Sequence, residues 1–127
     1  MFRYSKTLNP AIPVPEIEIF GSSSNSGKAF KIPAILDTGA DVTCIPYEHL
    51  RALGEKIYEY VELTGVAGTE KAKKYFIDLK IADCTFANHS VVSVNLPFAI
   101  LGRDIINNYT VILDGPHNRW RVEKNVK

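Results

Sequence analysis

Cysteine, histidine and excess charge are all scarce in this chain. Of its 127 residues, two are cysteine and three are histidine. Cys44 and Cys84 stand forty residues apart. They fit no zinc or redox spacing and are too few for a disulfide scaffold, so reduced, partly buried thiols are expected. His49, His89 and His117 are scattered, and His49 has no ligand-spaced partner on its own short segment. Surface or hydrogen-bonded histidines are the expectation, with no metal site. Fifteen basic residues face fourteen acidic ones, for a net charge of +1. That balance gives no electrostatic case for nucleic acid or an anionic membrane as partner. No run approaches the ~18 apolar residues of a membrane-spanning helix. The start, MFRYSKTLNP, carries no apolar core of a signal peptide, so a cytoplasmic location is the default expectation. The stretch GSSSNSGKA is glycine-bearing but no phosphate loop. Five residues separate Gly21 from Gly27, and Ala29 stands where a magnesium-binding hydroxyl belongs. No cofactor is expected.

What is present is ordinary globular material, 46% apolar and 23% charged, of a length that makes one domain over 1–127. The pattern is mostly strand. Pro10, Pro13 and Pro15 exclude a central strand and predict an extended arm or edge over residues 1–14. EIEIF alternates, with Ile17 and Ile19 on one face, and pairs across the serine loop with AFKIPAIL. PYEHLRALG predicts a short helix with Pro46 at its first turn and Gly54 as its stop. IYEYVELTG and KKYFIDLKI alternate on either side of VAGTEKA, which predicts a glycine-tipped hairpin. SVVSVNLPFAIL is β-rich, and RDIINNY predicts about two helical turns. TVILDG and RWRVE flank a turn at residues 115–118. Many short strands with turn signals point to an all-β sandwich or small barrel. Lys71, Lys73 and Lys74 beside the hairpin tip read as a solvated face.

One stretch carries chemistry. In AILDTGADVTCIP, residues 34–46, an apolar strand runs into Asp37-Thr38-Gly39-Ala40-Asp41 and a second apolar segment runs out. Asp-Thr-Gly alone is equally a β-turn, since Asp and Gly are turn formers. Its surroundings say more. Gly39 allows close approach of another backbone, and Ala40 keeps the floor narrow. A second apolar pair with glycine, AILGRDI at 99–105, follows, and the glycine-tipped hairpin lies between.

ILDTGAD at 35–41, LTGVAGTEK at 63–71 and AILGRDI at 99–105, in that order, resemble the retropepsin-like aspartic proteases, the retroviral protease family and its cellular relatives. The likeness spans roughly residues 15–115. It implies a small closed β-barrel with a flap hairpin and one or two short helices. By that resemblance Asp37 is the catalytic carboxylate, and Thr38 bonds across a two-fold axis. Gly39 offers its carbonyl to substrate, with Ala40 beside it. Asp41 meets the substrate backbone and pairs with Arg103. Ile100 and Leu101 pack under the loop and line a pocket, with Gly102 and Arg103 as structural support. Gly65, Val66, Ala67 and Gly68 form the flap tip over the substrate. One Asp-Thr-Gly per chain implies a homodimer, in which two Asp37 carboxylates activate a water to cleave an extended peptide. No metal or other cofactor is implied.

Two features depart from viral members, whose termini interleave to hold the dimer. Here three prolines, Pro10, Pro13 and Pro15, lie in and just after the N-terminal arm, and the C-terminal end reads as its own hairpin. Trp120 either anchors a dimer interface or sits on the core face of that hairpin. The flap also holds fewer glycines than viral flaps. A second function stays open. The same fold can serve as a dimerisation or peptide-binding module with little hydrolysis, as in relatives within ubiquitin-shuttle proteins.

Overall fold

The computed structural model describes residues 2–5, 12–13, 15–21 and 27–124. Pro10, much of the expected arm and most of the serine loop lie outside them. Two sheets make up the described fold. The first gathers both ends of the chain: β1 (Phe2–Ser5), β2 (Ile12–Pro13), β10 (Tyr109–Asp114) and β11 (Arg119–Lys124). Their spatial order is β10-β11-β1-β2. Pro13 falls on an edge strand, where a missing backbone N–H costs least. The arm is more than an extension, because β1 pairs with β11 of the same chain, Phe2 opposite Trp120.

The second sheet contains β3 (Glu16–Gly21), β4 (Ala29–Leu36), β5 (Cys44–Pro46), β6 (Glu59–Gly65), β7 (Gly68–Ile81), β8 (Cys84–Val94) and β9 (Ala99–Leu101). Its order is β3-β4-β9-β5-β8-β7-β6, and β3 also pairs with β7. That extra pairing closes six strands into a barrel and leaves β6 outside the ring. Closure follows from alternation. Ile17 and Ile19 on β3 point inward and are fully buried. Ile17 stands opposite Ile32, and Ile19 opposite both Phe30 and Leu79. Ile45, Leu50, Leu53, Ile77, Val91 and Ile105 complete a contiguous apolar core. At ~1.5–3 kcal/mol for each large side chain buried, this cluster supplies the main driving force for folding.

The helix α1 (Tyr47–Leu53) buries Leu50 and Leu53 and ends at Gly54, whose φ of +77° is a conformation glycine adopts freely. Three expectations need correction. The segment from Arg103 makes one helical turn, α2 (Arg103–Ile106), not two. The Asn108 side-chain amide donates to the carbonyls of Asp104 and Ile105, capping the helix before Tyr109 enters β10. The connection between the hairpin strands is not the seven residues of VAGTEKA but Val66-Ala67 alone, because paired threonines carry the ladder to Gly65 and Gly68 at the tip. The Thr64 and Thr69 hydroxyls lie 3.0 Å apart across that ladder. The lysine cluster is not simply solvated. Lys73 lies 4.0 Å from the Tyr47 ring centre and Lys71 5.3 Å from that of Tyr60. Trp120 is buried within its own chain, which favours the second of its two expected placements.

Candidate active site

The site begins where strand order departs from chain order. β4 and β5 are consecutive in sequence, yet β9 lies between them. The connection 37–43 therefore arches over the end of β9. β4 runs parallel to β9, with Leu36 beside Leu101, and the Asp37 amide extends the ladder to the Leu101 carbonyl at 3.0 Å. Cys44, across the arch, pairs with Ile100 on the other side of β9. The apolar runs on either side of Asp-Thr-Gly are thus the feet of one arch, anchored on a shared strand.

Within the arch, Asp37 is half-buried and Thr38, Gly39 and Asp41 are exposed. The Gly39 amide donates to Asp37 Oδ1 at 2.9 Å, and the Ala40 amide to the Asp37 carbonyl at 3.2 Å. A Cβ on residue 39 would stand 3.1 Å from that carboxylate oxygen, so glycine keeps the turn tight. These bonds fix the carboxylate's direction while one side of the loop stays open to solvent.

Below the arch the chain leaves β9 through Gly102. A Cβ there would meet the backbone of Val42 at 2.6 Å, a distance that excludes any side chain without moving the loop. α2 then grips the arch on both sides. The Arg103 amide donates to the Ala40 carbonyl at 2.9 Å, and its guanidinium donates to the Thr38 carbonyl at 2.8 Å. The same guanidinium pairs with Asp41. Both partners are largely exposed, so this ion pair contributes at most ~1 kcal/mol to stability.

Asp104 faces the other way, into the protein. Its Oδ1 accepts from the Thr43 hydroxyl at 2.8 Å and the Ile105 amide at 3.0 Å. Its Oδ2 accepts from the Thr43 amide at 3.1 Å and His89 Nε2 at 2.8 Å. The fully buried Thr43 hydroxyl accepts from the Gly102 amide at 3.1 Å. Partial burial pushes the Asp104 carboxyl up, but hydrogen bonds from His89 and Thr43 outweigh it and hold the carboxyl below its ordinary range. Beside it, burial pushes the Cys44 thiol up to about 11, with help from the charges of Asp104 and Asp37.

The chain belongs to the retroviral aspartyl protease family. The model of that family matches residues 10–114, most of the chain. The Pro-Pol polyprotein of feline foamy virus is 34% identical over 74 residues, 58% of this chain. This chain spans 6% of the length of that polyprotein. Among solved structures, EIAV protease complexed with the inhibitor HBY-793 superposes with a TM-score of 0.61 at 22% identity, covering 76% of this chain and 86% of that one. The solution structure of simian foamy virus (mac) protease gives 0.55 at 20% identity, covering 75% and 92%. The closed barrel is a small, all-β, retropepsin-like fold.

In this retropepsin-like frame β6 and the first half of β7 form the flap. Gly65, Val66, Ala67 and Gly68 at its tip are all exposed. Its inner residues Val61, Leu63 and Ala72 join Val42, Cys44 and Ile100 in a second apolar cluster. Ile100 and Leu101, neighbours in sequence, separate by strand alternation. Ile100 is half-buried in that second cluster, and Leu101 is buried in the main core. Among the described residues, no three of His, Cys, Asp and Glu converge as metal ligands. The residues that sequence reading missed are Thr43, His89 and Asp104. Asp104 lies inside AILGRDI and Thr43 two positions beyond ILDTGAD, but they read as ordinary helix and loop residues. His89, expected as a surface or hydrogen-bonded histidine, is hydrogen-bonded, but no sequence signal ties it to the loop.

Proposed function

We propose that this chain is an aspartic endopeptidase that works as a homodimer, with Asp37 of each subunit forming the catalytic pair. One observation carries the reading. The family's Asp-Thr-Gly loop is intact, hydrogen-bonded and open on one side, yet each chain supplies a single such carboxylate. A two-fold contact between copies brings the second.

Two carboxylates about 3 Å apart cannot both ionise readily, so the pair shares one proton, as aspartic-protease pairs do. The ionised member takes a proton from a water held between them, and that water attacks the scissile carbonyl. The protonated member polarises the carbonyl oxygen and then passes its proton toward the leaving nitrogen. Because the residues are identical, the pair titrates with two macroscopic values that belong to neither copy alone. An extended peptide fits between flap and loop as an added strand, held by its backbone and selected by alternate side chains. The half-buried apolar surface of Val42, Val61, Leu63 and Ile100 suits an aliphatic side chain of that peptide.

The test is incubation of the purified chain with a broad peptide library, comparing wild type with Asp37→Asn. Cleavage by wild type alone is expected. A folded, dimeric wild type that cuts nothing would instead favour the dimerisation or peptide-binding module.

A further inference from the structure

The arch that carries Asp37 is braced from behind by a carboxylate. An ionised carboxylate only accepts hydrogen bonds, with about four acceptor sites. Asp104 receives four donors: the Thr43 hydroxyl, the Thr43 amide, the Ile105 amide and His89 Nε2. Three of these are local to the arch and α2. The fourth comes from β8, on the barrel wall. Since Asp104 has no proton to give, His89 must donate, so Nε2 carries hydrogen whether the ring is neutral or charged.

We propose that His89 is a positioning residue for the Asp37 loop, its Nε2–H completing the hydrogen-bond shell of Asp104 and so fixing Thr43, Gly102 and the arch above them. The proposal rests on the aspartic-protease reading for its catalytic consequence. The geometry behind it does not. Through Asp104 the ring fixes Thr43 at one foot of the arch. Through the Thr43 hydroxyl it also fixes the Gly102 amide beneath the arch.

The brace answers a problem set by the chemistry. A proton-sharing pair works where its own carboxylates are half protonated. A carboxylate brace must remain ionised at that same pH, or it loses its donors as they are needed. Partial burial works against this, and the donors from His89 and Thr43 more than offset it. Other titratable groups nearby do not take over the task. The Cys44 thiol on β5 stays neutral throughout the acid range. Arg103, on α2 itself, is directed to Thr38 and Asp41. Tyr109 on β10 donates its hydroxyl to the Ile81 carbonyl, and Asp78 on β7 accepts the Asn88 amide.

The sign of the pH effect follows. A carboxyl held low in the folded state adds stability that is full above the unfolded value of about 4. That contribution is lost as pH falls through the folded value. Removing the His89 donor moves the folded value back up, so the loss begins at higher pH.

Two variants make the test. His89→Met keeps comparable bulk without a donor, and His89→Gln presents an amide N–H₂ at similar reach. Rate, KM, acid unfolding and amide exchange at Thr43 and Gly102 are measured on each. For His89→Met the expected result is a kcat about tenfold lower, the worth of one hydrogen bond to a charge, with KM unchanged. Acid loss of activity and of fold should both move to higher pH, and both amides should exchange faster. His89→Gln should recover most of each change. If His89→Met does not fold, His89→Asn, with an amide too short to reach, replaces it. Wild-type rate, acid limb and exchange in the donor-free variant, with Asp37→Asn inactive, would overturn the brace and leave the protease reading intact. A wild type inert on every peptide would sink the protease reading. Exchange and acid unfolding would then still decide the brace.

Discussion

Asp37 and the residues touching it permit sharply different predictions for neighbouring positions. Asp37→Asn preserves volume and the Gly39 hydrogen bond but cannot exchange the catalytic proton. Activity should fall by about 10²–10⁴ or more, with fold and dimer intact by circular dichroism and sedimentation. Activity within tenfold of wild type would remove Asp37 from the mechanism. Gly102→Ala should be far more damaging to structure. Its Cβ would meet Val42 backbone at 2.6 Å, so the arch itself must shift. A loss of about 3 kcal/mol or more in denaturant unfolding is expected. Arg103→Ala should cost about 1–2 kcal/mol, less than Gly102→Ala, because its pair with Asp41 is exposed and its bond to the Thr38 carbonyl is lost as well. At this scale the motifs made Asp37, Gly39, Gly102 and Arg103 visible, since each lies in a short recognisable run. The Asp104 brace was not visible. Its partner Thr43 is 61 positions away in the chain and His89 is 15. Only the fold brings them together.

The flap is an element whose freedom is set at its root. β7 pairs with β8 only from Lys74 onward, and toward its tip it pairs with β6 alone. At the branch, the Lys73 amide donates to the Ser93 hydroxyl at 2.9 Å, and the Lys73 ammonium sits over Tyr47 of α1. Ser93→Ala orphans that amide at a cost of about 1–2 kcal/mol, felt mainly by the hairpin. Amides of residues 68–72 should exchange faster and KM should rise, while global unfolding changes little. Unchanged exchange along the flap would show that Ser93 does not set its motion. The hairpin itself was legible because both strands alternate and glycines flank its tip. The next turn was not. β7 reverses into β8 through Ala82 and Asp83, both at positive φ, where Asn-Gly would have been the readable signal. α2 was overestimated because Ile105, Ile106 and Tyr109 fit a helical period that the Asn108 amide cuts short.

At the scale of the whole molecule, an all-β chain was legible from alternation, but closure was not. The β3–β7 pairing joins segments some sixty residues apart, and no local pattern announces it. Assembly is the remaining question, and a single carboxylate per chain turns it into a kinetic prediction. The terminal sheet is built within one chain, with β1 on β11 and Trp120 buried, so the proposed dimer would not need to exchange that strand. If the site is shared as proposed, activity per chain falls on dilution below the dimer dissociation constant, whatever surface is used. On that reading, excess Asp37→Asn chains also suppress wild type, since mixed dimers would carry one carboxylate and one amide. With random exchange, the active fraction falls as the square of the wild-type chain fraction. A protease complete in one chain would lose nothing beyond simple dilution, and its rate would follow the wild-type fraction linearly. Rate measured against mutant excess, after time for subunits to exchange, separates the two curves. A linear response would defeat the shared site, because the lone carboxylate held on the arch would then have to work without its copy.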